Sequence, residues 1–217
     1  MQFTVWQPIY YSILQDFGFS KERDEEAGEL LAGILCGRES MLPAARFIVS
    51  GRRAIVCGNA PLLGRELEGL QDRSAVFLAA DGATAVLLEH NIVPDIVVTD
   101  LDGPFPALLK ANRMGSIIVV HAHGDNLDAL KRCVPELERV IGTVQCRPLP
   151  GLHNFGGFTD GDRTVFLAKE LGAARIELLG FDFEDESVTP RKKRKLQWAK
   201  KLIKLALGQV SSQSLQS

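Results

Sequence analysis

Residues 94–103 read Pro94-Asp95-Ile96-Val97-Val98-Thr99-Asp100-Leu101-Asp102-Gly103. The core of this stretch, 96–99, is apolar and mostly β-branched with no polar alternation, the pattern of a strand buried on both faces. It stops abruptly at two aspartates and a glycine. Runs of the same texture recur at 54–57, 75–79, 116–120, 139–143 and 175–179, and helix-period segments such as 84–90, 126–133 and 163–171 lie between them. Strand alternating with helix predicts an α/β fold, a mostly parallel sheet with helices on both faces.

Outward from this core, residues 1–50 read as a helical extension. The stretch 24–37 places Ala27, Leu30, Leu31, Ile34 and Leu35 on one face, with Gly37 suited to end the helix. Trp6, Ile9, Tyr10, Ile13, Leu14 and Phe17 suggest a second amphipathic helix upstream, and these apolar faces could also serve a homodimer contact. The catalytic domain is expected over 51–208. It includes a basic helix after Pro190, whose apolar stripe is Leu196, Ala199, Leu202, Ile203 and Ala206. The polar tail 209–217 is expected to fray.

At 217 residues, 46% hydrophobic and net charge -2, the chain suits one globular domain and gives no reason to expect a nucleic-acid partner. Its four cysteines, Cys36, Cys57, Cys133 and Cys146, form no CxxC pair or zinc-ribbon spacing and suit a reducing cytoplasm. The amino terminus lacks the pattern of a signal peptide, and no apolar run approaches the roughly 20 residues that cross a bilayer. A soluble, cytoplasmic protein with no membrane partner is expected.

In open parallel sheets, ligands bind beyond the carboxyl ends of the strands. Here those ends read Gly58-Asn59-Ala60-Pro61, Asp81-Gly82-Ala83-Thr84, Asp100-Leu101-Asp102-Gly103, His121-Ala122-His123-Gly124-Asp125-Asn126 and Gly180-Phe181-Asp182. The glycine turn at Gly58-Asn59 can bring backbone N–H groups to phosphate oxygens, or be a plain tight turn. Asp100 and Asp102 alternate in extended chain and so can face one cation; magnesium suits a few carboxylates plus substrate phosphates. His121, His123 and Asp125 also alternate and could hold zinc, but the aspartate-rich surroundings favour a harder cation served by Asp125 and Asn126. The loop 154–163 carries Gly156, Gly157, Thr159, Asp160, Asp162 and Arg163, more than a connector needs, although Asp160 could simply cap the next helix. The basic run 191–204 could lie near a polyphosphate, bind nucleic acid or be a solvated face.

The succession ADGAT at 80–84, PDIVVTDLDG at 94–103, HAHGDN at 121–126, NFGGFTDGDR at 154–163 and GFD at 180–182 resembles the archaeal 6-hydroxymethyl-7,8-dihydropterin pyrophosphokinases. The likeness runs nearly the whole chain, to about Gly208. More distantly, ADG and TDLDG look like the Asp-Gly and Asp-x-Asp-Ser elements of thiamine pyrophosphokinases, with Gly103 in place of the serine. The resemblance implies a thiamine-pyrophosphokinase-like core. It also implies ATP and the pterin as substrates, AMP and the pterin diphosphate as products, and a role in tetrahydromethanopterin or folate-type cofactor biosynthesis. The expected metal ligands are Asp81, Asp100, Asp102 and Asp125, binding Mg2+. Asp100, Asp102, Asp125 and Arg163 are expected to act in catalysis. Gly58, Asn59, Asp81, Gly82, His123, Asn126, Gly156, Gly157, Thr159, Asp160 and Asp162 are expected to bind substrates. A thiamine pyrophosphokinase, a nucleotide-sugar glycosyltransferase and a non-catalytic nucleotide-binding module are the alternatives.

Overall fold

The computed structural model describes residues 1–212. Residues 213–217, the end of the tail expected to fray, lie outside the described residues. Among the described residues, seven strands form one all-parallel sheet: β1 (Arg53–Cys57), β2 (Val76–Ala80), β3 (Ile96–Thr99), β4 (Ile117–Ala122), β5 (Val140–Val144), β6 (Leu152–His153) and β7 (Arg175–Leu179). Their order is β6-β5-β4-β3-β2-β1-β7. Six of these match the apolar runs of the sequence. The two-residue β6 is too short to carry a pattern.

The helices α4 (Leu63–Glu68), α5 (Ala83–Glu89), α6 (Phe105–Arg113) and α7 (Leu127–Cys133) carry the chain from β1 to β5, always stepping the same way. Helix α8 (Asp160–Glu170) reverses that direction and returns the chain across β3, β2 and β1 to β7. Parallel crossovers are right-handed, so the reversal puts α8 on the face opposite α4–α7. The winding therefore switches direction between β1 and β7, where open α/β sheets place their ligand crevice.

The backbones meet closely at that switch. Gly58 N donates to Leu179 O at 2.8 Å, and Ala60 N donates to Gly180 O at 2.9 Å. A Cβ on Gly58 would stand 2.5 Å from Gly180 O. One on Gly180, whose φ is +70°, would stand 2.3 Å from Gly58 O. Both positions need glycine for space, and Gly180 needs it for conformation as well.

Residues 1–50 supply α1 (Phe3–Phe17), α2 (Lys21–Leu35) and α3 (Leu42–Val49). Ser20 starts α2 by accepting from Arg23 N at 3.2 Å, with Glu22 and Asp24 favourably placed in the first turn. Trp6, Ile9, Tyr10, Ile13, Ala27 and Leu31 are fully buried in one cluster with the sheet residues. Burial on this scale stabilises by roughly 1.5–3 kcal/mol for each large apolar side chain. The face that suggested a dimer contact is thus covered within the chain. Helix α9 (Pro190–Ala206) packs along α8, with Thr189 as its N-cap.

Candidate active site

The turn after β3 organises the site. Thr99 Oγ1 donates to Asp81 Oδ2 at 2.7 Å and accepts from Leu101 N at 2.8 Å, while Gly103 N donates to the same Asp81 oxygen at 3.2 Å. Leu101 is buried with φ at +67°, a conformation that costs a β-carbon-bearing residue free energy and is held by its surroundings. The sequence suggested that Asp100 and Asp102 share a face of extended chain. They do converge, but because the chain turns at Leu101 and not because of strand pleating. Gly103 closes the turn onto Asp81, and a Cβ there would stand 2.2 Å from Asp81 Oδ1.

Asp81, Asp100, Asp102 and Asp160 each bring one carboxylate oxygen to within 4.8 Å of the others. Asp81 is buried, and its Oδ1 has no hydrogen-bond partner. Burial, with the Asp102 and Asp100 charges adding to it, pushes the Asp81 carboxyl up to about 6. Burial and the Asp100 charge likewise raise Asp102 and Asp160. Burial also acts to raise Asp100, yet the His123 hydrogen bond and the Arg163 charge hold it well below the usual carboxylate range. Mutually repelling carboxylates with an unpaired buried oxygen are the donor set of a hard divalent cation such as Mg2+. The four side chains fit that group.

A cleft of about 340 Å³ opens over the cluster, bounded also by Gly58, Asn59 and Phe181. Lys192 and Lys195 of α9 also line it. Lys195 stands 5.8 Å from the centre of the Phe158 ring. Burial lowers the affinity of its amine for a proton, and the Asp100 charge works against that. Other basic residues of α9 are tied inside the chain: Arg194 lies over Phe17 at 5.2 Å and Arg191 over Phe19 at 5.5 Å. Only part of the basic run therefore addresses the cleft. Lys192, Lys195, Leu196 and Ala199 share a helix face by their spacing, a signal the sequence carried.

The remaining expected residues divide. Asn59 lines the cleft and packs over Gly82, where a Cβ would come within 2.3 Å of its Nδ2. His123 Nε2 meets Asp100 Oδ2 at 3.3 Å, and Arg163 Nη1 meets Asp160 Oδ1 at 3.3 Å, so both support cluster members. Asn126 Nδ2 donates to Asp100 O and His121 O, each at 2.7 Å, which makes it a brace for the loop. Asp125 is not brought to the cluster. It is exposed, its N–H bonds His123 Nδ1 at 3.3 Å, and its carboxylate is outside the four-aspartate cluster; Asp160 stands where the sequence put Asp125.

Asp162 is fully buried and accepts from Phe158 N, Thr159 N and Thr159 Oγ1, closing a capping box on α8 with Thr159. Gly156 and Gly157 take φ of +89° and +96°. Gly157 passes so close to Arg163 that a Cβ would reach 2.7 Å from its Cα; these glycines shape the loop beneath the cleft and are not part of its wall. His121 is buried on Thr143 Oγ1 at 3.1 Å, and burial lowers its affinity for a proton.

The raised Asp81 carboxyl has a signed consequence. Its folded value lies above the ordinary one, so without a cation the cluster costs stability above about pH 6, and the cost is relieved as pH falls through 6 and the carboxyl protonates. A bound cation relieves the same cost but competes with that proton. The rise in melting temperature on adding Mg2+ is therefore expected to be larger at about pH 7.5 than at about pH 5. Thermal scans with and without Mg2+ at each pH check this and cancel contributions from His121; an equal rise at both would contradict it.

The family model described as 6-hydroxymethylpterin diphosphokinase MptE-like matches residues 38–187, which span β1 to β7 and all four aspartates. The chain belongs to this family. Three curated relatives, each named 6-hydroxymethyl-7,8-dihydropterin pyrophosphokinase, agree. The protein of Methanothermobacter thermautotrophicus is 44% identical over 220 residues, 94% of each chain. That of Pyrococcus furiosus is 45% identical over 184 residues, 84% of this chain and 79% of its own. That of Methanocaldococcus jannaschii is 38% identical over 228 residues, 94% of this chain and 95% of its own. Among solved structures, the MAf glycosyltransferase of Magnetospirillum magneticum AMB-1 superposes with a TM-score of 0.51 at 16% identity, over 84% of this chain and 35% of that one. That likeness concerns the fold alone. Among the described residues, no helix is long and apolar enough to cross a membrane.

Proposed function

We propose that the chain transfers the diphosphoryl group of ATP to the hydroxymethyl oxygen of 6-hydroxymethyl-7,8-dihydropterin, giving AMP and the pterin diphosphate in the synthesis of a pterin cofactor. The supporting observation is one cleft lined by four convergent aspartates and by Lys192 and Lys195, in a chain 38–45% identical to three enzymes of that name.

In the reaction, the acceptor oxygen attacks the β-phosphorus in line. The new O–Pβ bond forms as the bond from Pβ to the bridging oxygen of AMP breaks, and the hydroxyl proton passes to water in the open cleft. Transfer of this kind relies on positioning and charge neutralisation more than on covalent help from the protein. Asp81, Asp100, Asp102 and Asp160 would hold Mg2+, which when bound would supply positive charge against the polyphosphate. Lys192 and Lys195, which line the same cleft, meet the polyphosphate. Gly58, Asn59 and Gly180 line the cleft beside the nucleotide, and Arg163 and His123 hold Asp160 and Asp100 in place.

Replacing Lys195 by methionine keeps an unbranched side chain one atom shorter and removes its charge. Since a hydrogen bond to a charged group contributes about 1.5–3 kcal/mol, kcat/KM for ATP should fall about 10- to 100-fold with little change in melting temperature. A loss confined to the pterin KM would contradict the polyphosphate role. The reaction itself is tested by 31P NMR of the products: AMP with a pterin diphosphate supports the reading, and ADP with a pterin monophosphate refutes it.

A further inference from the structure

Asp24 lies on α2, outside the stretch matched by the family model, yet it is 3% exposed and fully engaged. Its Oδ1 accepts from Gly124 N at 2.9 Å, and its Oδ2 accepts from Tyr10 Oη at 2.7 Å and from Gln145 Nε2 at 2.8 Å. No cation pairs with it among these contacts. Three neutral donors offset the cost of burying the charge, and each bond to a carboxylate is stronger than a neutral one.

Two of these three bonds lead to the aspartate cluster. Gln145 turns its Nε2 to Asp24, so its Oε1 faces Arg163, whose Nη2 lies 3.4 Å away; Arg163 Nη1 then meets Asp160. Gly124 is pinned in the turn that carries His123, and His123 Nε2 meets Asp100. The approach of α2 to this turn is close: a Cβ on Gly124 would stand 2.6 Å from Arg23 Cβ. The third bond, to Tyr10, runs back into α1 and reaches no cluster residue.

We infer that Asp24 is a positioning residue: as an acceptor-only group it fixes the Gln145 amide and the Gly124 turn, and through them the orientation of Asp160 and Asp100. The amino-terminal helices are then part of the site's support and not only of the core. The inference rests on the reading that the four aspartates hold a divalent cation. Asparagine at position 24 must turn its NH2 group either to the Oδ2 side, facing Tyr10 and Gln145, or to the Oδ1 side, facing the Gly124 N–H. In the first arrangement Gln145 restores its bond only by flipping, which turns its own NH2 towards the Arg163 guanidinium and breaks the arm to Asp160; in the second two donors face each other and the arm through Gly124 to Asp100 is broken.

The test is Mn2+ binding followed by electron paramagnetic resonance, alongside thermal melting, for the full chain and three variants. Asp24→Asn and Gln145→Met are expected to weaken Mn2+ binding about tenfold, the low end for residues that orient metal ligands. Tyr10→Phe should lower the melting temperature while leaving Mn2+ affinity within about twofold, since it touches only the structural bond. Unchanged affinity in folded Gln145→Met and Asp24→Asn overturns the inference, with the cation site intact in the parent. Should Asp24→Asn fail to fold, Gln145→Met decides alone, because it cuts the Asp160 arm and leaves Asp24 its other partners. Absence of Mn2+ binding by the parent chain would remove the cation site, and the inference with it.

Discussion

Asp102→Ala is expected to lower turnover by at least about 100-fold, the loss seen when a charge-stabilising group is removed from a phosphoryl or acyl transfer site. Asp102 is the cluster member best suited to this test. It is exposed, whereas Asp81 also closes the turn through Thr99 and Gly103, and Asp100 and Asp160 are engaged by His123 and Arg163. Removing Asp102 also removes a charge that raises Asp81, so the melting temperature should hold or rise. Steady-state rates and thermal scans on the same preparation separate the two effects. Near-parental turnover in a variant of normal stability would contradict the cation role.

Gly180→Ala should destabilise the chain by about 2–4 kcal/mol, combining overpacking with a left-handed conformation that L-residues avoid. For a chain of this size that lowers the melting temperature by about 5–15 °C. The Cβ would face Gly58 O at 2.3 Å and Leu63 Cβ at 2.9 Å, and neither the backbone atom nor the packed helix start can yield cheaply. Parting β1 from β7 would also widen the crevice, so affinity for the nucleotide should fall together with stability. A melting temperature within about 2 °C of the parent would show that the two backbones are not in the close contact described.

Much of the fold was legible because strands buried on both faces leave uninterrupted valine and isoleucine runs. β6 left no such mark, and nothing in the sequence said that β7 would sit beside β1, since strand order depends on crossovers that span the whole sheet. In the site, the residues that converge are those held by backbone at strand ends. Asp125 looked equivalent to Asp100 and Asp102 by spacing, but its turn carries it outward; Asp160 was read equally as a helix cap and lies in the cluster. Asp162 looked like a ligand, but it caps its own helix from a fully buried position. Lys192 and Lys195 were hidden within a run of like charges, where only helical spacing marks the two that face inward. The bonds from Asp24 to Gly124 and Gln145 bridge 100 and 121 residues of sequence, and no local pattern announces such contacts.

The central claim is a cation-assisted diphosphoryl transfer to a pterin, and AMP release from ATP tests it most directly. The assay uses Mg2+ with 6-hydroxymethyl-7,8-dihydropterin and thiamine as separate acceptors, repeated after chelation. AMP formed mole for mole with pterin diphosphate, lost on chelation and absent with thiamine, is the predicted result. AMP that forms without the pterin, forms equally with thiamine or survives chelation would contradict the account.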